Sequence, residues 1–241
     1  MRNTRTEPTS TILFDAGNTL AFVDLHRVAA VLAGHGSAFR AAELAPAEAV
    51  ARAAMYRCAE ENPRLTDRER WRVYVAGMLA ALALPGDGAA ERIRASLEAA
   101  HRADNLWRRV EADTPATLDR LRARGFRLGV VSNADGRVRA LLEDLGLASR
   151  FEVIVDSHVV GVEKPDPRIF AIALEALRES PHRAVYVGDF PQVDILGARR
   201  AGIRPILLDP LGISPHVDCP VIARLPELEA LLEPPPPASS S

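Results

Sequence analysis

The chain has 241 residues and a formal net charge of −2, with an isoelectric point of about 6.3. This near-neutral balance argues against binding to nucleic acid or to a membrane surface through bulk charge. The N-terminal segment is charged but no apolar signal sequence follows it, and the longest apolar stretch, 73–84, is too short to span a bilayer. Cys58 and Cys219 are isolated and lack the spacing of a metal site. We therefore expect a cytoplasmic protein without a membrane or nucleic-acid partner.

The first predicted strand covers residues 11–14 of the segment TILFDAGNTL. From about residue 24 to 105 the apolar spacing is helical, and no strand pattern interrupts it. Helices are predicted in DLHRVAAVLAG, which Gly34 ends, and in PAEAVARAAMYRCAEEN, with its first proline in the first turn. A capping box, TDRE, begins a third helix, and DGAAERIRASLEAAHRADN forms a fourth.

After this block, short apolar strands alternate with helices. Strands are predicted in FRLGVVS, FEVIVDS, AVYVGD and IRPILLD, and helices in TPATLDRLRARG, RVRALLEDLG, DPRIFAIALEALRES and VDILGARRAG. This alternation predicts an α/β fold, a doubly wound, Rossmann-like parallel sheet covered on both faces. The domain boundaries follow: an α/β core at 1–21 and 108–232, an inserted helical cap at 22–107, and a disordered tail at 233–241.

Polar residues of complementary chemistry follow four of the predicted strands, and the carboxyl ends of parallel strands meet at one edge of a sheet. They are Asp15; Ser132 and Asn133; Lys164; and Asp189 with Asp194. Together they supply acids for a hard cation, donors for anionic oxygens and one ammonium. Lys164 is the only lysine beside 29 arginines. A position that keeps lysine in such a chain indicates a need for a compact ammonium rather than a planar guanidinium.

These segments resemble the motifs of the haloacid dehalogenase superfamily, in the branch with a helical cap inserted after the first strand. Asp15 and Thr19 match its first motif, Ser132 its second and Lys164 with Pro165 its third. The fourth motif matches Asp189 and Asp194 in GDFPQVD. The resemblance extends over about residues 11 to 230, and it implies a magnesium-dependent hydrolase of a small phosphorylated metabolite.

By that resemblance, Asp15 is the nucleophile, which forms an aspartyl-phosphate that water then hydrolyses. The implied magnesium ligands are Asp15, the carbonyl of Gly17 and Asp189, with Asp194 as a further ligand or close by. The implied phosphate-binding groups are Ser132, Asn133 and Lys164. Lys164 also counts as catalytic, because its charge offsets the repulsion between the carboxylates and an incoming phosphate. The cap is expected to close over the site and to select the substrate.

The sequence departs from the family's phosphatases at Gly17, where they carry a second aspartate that protonates the leaving group. A positioned general acid contributes about 10²- to 10⁴-fold to a rate. Two other chemistries of the family also replace this aspartate. Phosphonoacetaldehyde hydrolases need a lysine in the cap, which this chain lacks; L-2-haloacid dehalogenases lack the acid that Asp189 supplies. Phosphate-ester or acyl-phosphate hydrolysis is therefore favoured, and a catalytically impaired binding or regulatory protein and a 2-haloacid dehalogenase stay open as alternatives.

Several residues of the predicted cap are weaker candidates. His26 follows the first hinge and is a possible substitute for the missing acid, although an exposed helix position is favoured. His101, Asn105 and Trp107 are candidates to face the site, but packing and surface roles are favoured. Trp71, Tyr74 and Met78 are expected to form the cap core. The sequence indicates neither the substrate nor the oligomeric state.

Overall fold

The computed structural model describes residues 8–62, 65–84 and 88–236. Strand β1, Thr11–Phe14, is buried along its whole length, as expected for a central strand of a sheet that is covered on both faces. It pairs in parallel with strands on either side. Eight strands lie within the described residues: β1 (Thr11–Phe14), β2 (Phe22–Val23), β3 (Trp107–Arg109), β4 (Arg127–Ser132), β5 (Val153–Asp156), β6 (Ala184–Gly188), β7 (Arg204–Leu208) and β8 (Val221–Ile222).

Six of these strands form one sheet in the order β5-β4-β1-β6-β7-β8, and each of its neighbouring pairs is parallel. The strand order reverses between β1 and β6, because the chain passes from β1 to β4 and β5 on one side and returns to β6, β7 and β8 on the other. In such sheets a ligand binds outside the carboxyl ends of the strands at the reversal. Asp15 directly follows β1, and Asp189 directly follows β6.

Most of the helices predicted from the sequence are present in the structure. Those in the described part of the chain are α1 (Leu25–Ala33), α2 (Ala41–Glu61), α3 (Asp67–Ala80), α4 (Ala89–Ala103), α5 (Thr114–Ala123), α6 (Val138–Asp144), α7 (Ser157–Val160), α8 (Pro167–Leu177), α9 (Leu196–Arg200) and α10 (Leu228–Leu231). None of them combines the length and the apolar character needed to cross a bilayer.

Three local predictions were wrong or incomplete. Helix α2 begins at Ala41, so Pro46 lies inside the helix rather than in its first turn. The helix starts early because the Glu43 carboxylate accepts a hydrogen bond from the Arg40 backbone N–H at 2.8 Å, which caps the first turn. The sequence also did not predict β8 or the antiparallel pair of β2 and β3, since strands of two or three residues are too short for an alternating pattern.

The chain divides into two compact units. One contains Met1–Ala21, Val110–Gly212 and His216–Ser241, and the other Phe22–Arg109 with Ile213–Pro215. The first holds the six-stranded sheet, and an apolar cluster under it includes Leu13, Phe170 and Tyr186. The second holds α1 to α4, which pack around an apolar core of their own. Residues 1–7 of the predicted core, 63–64 and 85–87 of the predicted cap and 237–241 of the predicted tail lie outside the described residues.

Candidate active site

Asp15 lies where β1 ends, and the backbone around it fixes its direction. Its N–H donates to the Val187 carbonyl of β6 at 2.8 Å, which continues the parallel ladder by one residue. The chain then turns: the N–H groups of Leu20 and Ala21 both donate to the Ala16 carbonyl, at 3.0 and 2.9 Å. Asn18 adopts a left-handed φ of 52° within this turn, a conformation that asparagine accepts more readily than most residues. Asp15 therefore lies between a hydrogen-bonded strand and a hydrogen-bonded turn.

Lys164 is the cation at the centre of the site. Its Nζ donates to Asp15 Oδ1 at 2.6 Å and to Asp194 Oδ1 at 2.7 Å. A third bond, of 2.8 Å, runs to the Tyr186 hydroxyl. The side chain is only 2% exposed, so these pairs are shielded from solvent and from salt. Burial alone would lower the pKa of Lys164, but Asp15 and Asp194 raise it above its ordinary value, and the side chain stays an ammonium.

Burial and neighbouring charges also have opposite effects on the pKa of Asp15. Burial, with a further contribution from Asp194, raises the pKa of Asp15 to about 6, while Lys164 and a hydrogen bond with Ser132 lower it. Most of the Asp15 side chains are thus carboxylates at neutral pH. A carboxylate is the form that acts as a nucleophile.

Asp194 is held by both of its carboxylate oxygens. Oδ1 accepts from Lys164, and Oδ2 accepts from the Phe190 N–H at 2.9 Å. Gly188 leaves room for this carboxylate, since a Cβ at that position would lie 2.5 Å from Asp194 Cγ. Asp194 therefore has two roles: one oxygen closes the turn after β6, and the other contacts the ammonium.

The three acids suit the magnesium that the resemblance implies. Within the described residues, one oxygen each of Asp15, Asp189 and Asp194 lie within 4.8 Å of one another, and all three residues are buried. Carboxylate oxygens are the ligands that Mg²⁺ prefers. The three carboxylates together are therefore the candidate metal ligands of the described residues.

Ser132 and Asn133 lie at the end of β4, next to this cluster. Ser132 is 3% exposed and hydrogen-bonds to Asp15. The Asn133 side chain forms a two-bond clamp on the backbone of Lys164: its Nδ2 donates to the Lys164 carbonyl at 3.0 Å, and the Lys164 N–H donates to its Oδ1 at 2.7 Å. The side chain of Asn133 thus positions the lysine. The phosphate-binding role that the resemblance implies for Asn133 is one for its backbone amide, and it remains a prediction.

The loop after Asn133 is fastened to β5 by Asp156. This buried carboxylate accepts from the N–H groups of Gly136, Val138 and His158, at 3.1, 3.2 and 3.0 Å. The N–H of Ala134 donates to the Ser157 hydroxyl at 3.1 Å. This support could not be predicted from the sequence, because most of its donors are backbone groups and an acid at the end of a strand is common.

Two residues of the first motif, Gly17 and Thr19, lie in the turn that follows Asp15. Gly17 forms an isolated bridge with Ala21 in the turn after Asp15. Thr19 is fully buried, and its Oγ1 has no hydrogen-bond partner among the described residues. The predicted ligand role of the Gly17 carbonyl remains a prediction.

The sequence prediction missed Tyr186. Its hydroxyl accepts from Lys164, lies 2.8 Å from the Val131 carbonyl and lies 3.2 Å from Asp194 Oδ1. Burial, with the nearby acids, raises the pKa of Tyr186 well above its ordinary value, so the hydroxyl keeps its proton. The only available sign was a hydroxyl inside the otherwise apolar strand AVYVG, and tyrosine is common in strands.

The candidates of the second unit pack against one another. The Trp71 ring lies 5.7 Å from Tyr74, 5.0 Å from His101 and 5.3 Å from Trp107. Met78 is buried in the core of this unit. Asn105 caps the next turn, with its Oδ1 accepting from the Trp107 N–H at 2.9 Å. His26 is exposed on α1. These contacts fit the packing and surface roles that the sequence favoured.

Comparisons with known proteins bear on this site. A phosphoserine phosphatase of Thermus thermophilus is 38% identical over 130 residues, which are 54% of this chain and 51% of that protein. This chain spans about half the length of most of the curated relatives it matches.

Two solved structures share the fold over nearly the whole chain. The HAD-hydrolase YfnB of Bacillus subtilis, determined with bound magnesium, has a TM-score of 0.66 at 22% identity and covers 94% of this chain and 99% of its own. A 2-haloacid dehalogenase of Pseudomonas syringae has a TM-score of 0.55 at 28% identity, with 92% and 97% covered. The family model of the haloacid dehalogenase-like hydrolases matches residues 9–202. With that match and this site, the chain belongs to the haloacid dehalogenase-like hydrolases.

Proposed function

We propose that the protein is a magnesium-dependent phosphatase of a small phosphorylated metabolite, with Asp15 as its nucleophile. The observation that carries the proposal is the buried contact of Lys164 with both Asp15 and Asp194, beside the further acid Asp189. A structural ion pair needs one acid for one base, whereas Lys164 contacts two acids. Three buried carboxylates that lie within 4.8 Å of one another are the ligand type that a hard cation prefers. The Thermus thermophilus relative, named a phosphoserine phosphatase, supports the same class of reaction.

In the proposed reaction, a carboxylate oxygen of Asp15 attacks the phosphorus atom. The bond from that oxygen to phosphorus forms as the bond from phosphorus to the leaving oxygen breaks, and the leaving group takes the electron pair. Water then attacks the phosphorus of the aspartyl-phosphate, which releases inorganic phosphate and restores the Asp15 carboxylate. Ser132, the Asn133 backbone amide and Lys164 hold the phosphoryl oxygens. Bound magnesium would supply charge stabilisation for those oxygens, and Asp15 and Asp189 would hold it.

Gly17 limits the range of leaving groups that we propose for the substrate. Without an acid at this position, a leaving oxygen departs unprotonated unless another group supplies a proton, and that is costly for a strongly basic alkoxide. We therefore propose acyl or aryl phosphates as better substrates than sugar or alkyl phosphates. His26 is the first residue to replace if alkyl and aryl esters are cleaved at equal chemical-step rates.

The test is phosphate release from a panel of acyl, aryl and alkyl phosphates, each with magnesium and with EDTA. Activity is expected with magnesium alone, and Asp15→Asn should abolish it while the circular dichroism spectrum is unchanged. Asp119→Asn is the matched control, because Asp119 is bound to Arg150 on the surface. Turnover of Asp15→Asn within about tenfold of wild type would overturn the covalent mechanism, since loss of a nucleophile costs far more.

Dehalogenation is the second candidate. Gly17 favours it, since the second aspartate of the phosphatases is absent, and so does the Pseudomonas syringae neighbour. The retained acids Asp189 and Asp194 weigh against it. Halide release from 2-chloropropionate in EDTA, without phosphatase activity, would establish this candidate instead. Inactivity in both assays would favour a binding or regulatory protein.

A further inference from the structure

The Lys164 ammonium has as many acceptors as protons. A lysine ammonium carries three N–H donors, and the three partners of Nζ are Asp15 Oδ1 at 2.6 Å, Asp194 Oδ1 at 2.7 Å and the Tyr186 hydroxyl at 2.8 Å. Two of these acceptors are the acids of the site. The third is neutral and belongs to a residue that no motif of the sequence indicated.

The Tyr186 hydroxyl proton has two acceptors. They are the carbonyl of Val131 at 2.8 Å, the residue immediately before Ser132, and Asp194 Oδ1 at 3.2 Å. With its proton directed at either acceptor, the hydroxyl presents an oxygen lone pair to Lys164. One hydroxyl thus joins the end of β4, the segment after β5 that carries Lys164, and β6.

The ring of Tyr186 is anchored independently of its hydroxyl. It is fully buried and meets the Phe170 ring edge-on, with centroids 4.9 Å apart and planes at 84°. On the neighbouring strand β1 its register partner is Leu13, two residues before Asp15. A phenylalanine would keep all of these apolar contacts, so the hydroxyl can be removed without emptying the core.

We propose that Tyr186 is a positioning residue whose hydroxyl holds the Lys164 ammonium between Asp15 and Asp194. This inference rests on the proposed phosphatase function for its kinetic consequence, but not for its structural one. Without the hydroxyl, one N–H of Lys164 loses its acceptor, and the ammonium is free to turn about its stem. The charge that faces Asp15 and the phosphoryl oxygens is then spread over several positions rather than fixed at one.

The single lysine of the chain provides a direct measurement. Protein labelled with ¹⁵N-lysine has one lysine side-chain nitrogen, so its Nζ signal in an NMR spectrum needs no assignment. In the metal-free wild type we expect slow proton exchange at Nζ, because the group is buried and each proton is bonded. In Tyr186→Phe the exchange should be faster by about tenfold or more, the lower range for a lost hydrogen bond to a charged group.

Tyr56→Phe is the matched control. Tyr56 is also a buried tyrosine, 2% exposed, and its hydroxyl accepts from Arg52 at 3.1 Å, but it lies in the other unit. It should leave the Nζ exchange rate unchanged. With the best substrate of the phosphate panel, Tyr186→Phe should lower kcat about tenfold and change KM by less than about threefold, since Tyr186 is not proposed to touch the substrate.

The outcomes separate this inference from the proposed function. If the wild type hydrolyses no phosphate, the NMR comparison still tests the positioning of Lys164. Unchanged exchange and unchanged kcat in a folded Tyr186→Phe variant would overturn the inference, and a fall in melting temperature alone would assign Tyr186 a purely structural role. Should the variant not fold, the wild type decides: Nζ exchange as fast as that of an exposed lysine would show that the three bonds do not hold the ammonium.

Discussion

Replacing Lys164 by methionine tests how much of the site's stability depends on one charge. The two side chains have similar length and flexibility, so the change mainly removes the ammonium. Asp194 and Lys164 have side chains that are 1% and 2% exposed, and Asp15 is 11% exposed. Breaking a buried ion pair by removing one partner costs about 3–5 kcal/mol, because it leaves a charge without compensation. For a chain of this size that is a fall of about 6 to 20 °C in melting temperature.

The loss of stability in Lys164→Met should depend on pH. Lys164 lowers the pKa of Asp15, so without Lys164 that pKa rises further above about 6. A carboxyl whose pKa is higher in the folded than in the unfolded state binds more protons when folded, and stability then falls as pH rises through the interval between the two values. The deficit of Lys164→Met relative to wild type is therefore expected to be larger at pH 8 than at pH 5.

The assay is urea unfolding of the metal-free proteins in EDTA at both pH values. Arg168→Met is the matched control, because Arg168 pairs with Asp166 while its own side chain is 73% exposed, and exposed pairs contribute about 0–1 kcal/mol. The double variant Asp15→Asn with Lys164→Met should lose less stability than the sum of the single variants. A deficit below about 1 kcal/mol at pH 8, or additive losses, would refute the claim that buried charge pairing stabilises this site.

Three further changes probe the same residues. Gly17→Asp should raise the rate on alkyl phosphates by up to about 10²-fold and flatten the dependence on leaving-group pKa; an unchanged dependence across an aryl and alkyl series would show that another group already donates the proton. Lys164→Arg should lower kcat/KM at least about tenfold, because a planar guanidinium cannot direct three N–H groups from one nitrogen to the three acceptors of Lys164. Near wild-type kinetics would show that only the charge is needed. Gly188→Ala should lower the free energy of unfolding by about 1–3 kcal/mol through its overlap with Asp194, whereas an unchanged urea midpoint would mean that this carboxylate moves freely.

The proximity of the charged residues could be predicted from the sequence, because it follows from the geometry of a parallel sheet. Once the strands are recognised as parallel, the residues that follow them must lie along one edge of the sheet, as Asp15 and Asp189 do. The predicted helices and strands of the core depend on the same strong alternation of apolar runs. The roles of the charged residues in the reaction remain predictions, since the structure shows positions and contacts but not turnover.

The contacts that orient these residues could not be predicted. Tyr186 meets Lys164 across 22 positions of the sequence and Asn133 meets it across 31, and a residue type alone does not specify its distant partner. Asparagine after a strand usually indicates a turn. Only the folded chain shows that Asn133 clamps the backbone of Lys164 while the Tyr186 hydroxyl contacts the ammonium at the end of its side chain.

The charges of the cluster explain why the proposed reaction depends on a cation. Asp15, Asp189 and Asp194 lie together in a buried region, and Lys164 contacts two of these acids. A phosphate dianion that enters beside carboxylates is repelled by them, and this repulsion is strong where solvent is excluded. A divalent cation on Asp15 and Asp189 would offset the repulsion and leave Lys164 to face the phosphoryl oxygens. The missing acid at Gly17 does not disturb this balance, because a side chain that is absent adds no charge. In the proposed enzyme, Gly17 therefore limits which leaving group can depart, while the attack by Asp15 is unaffected, and the comparison of aryl with alkyl phosphates in magnesium separates these two steps.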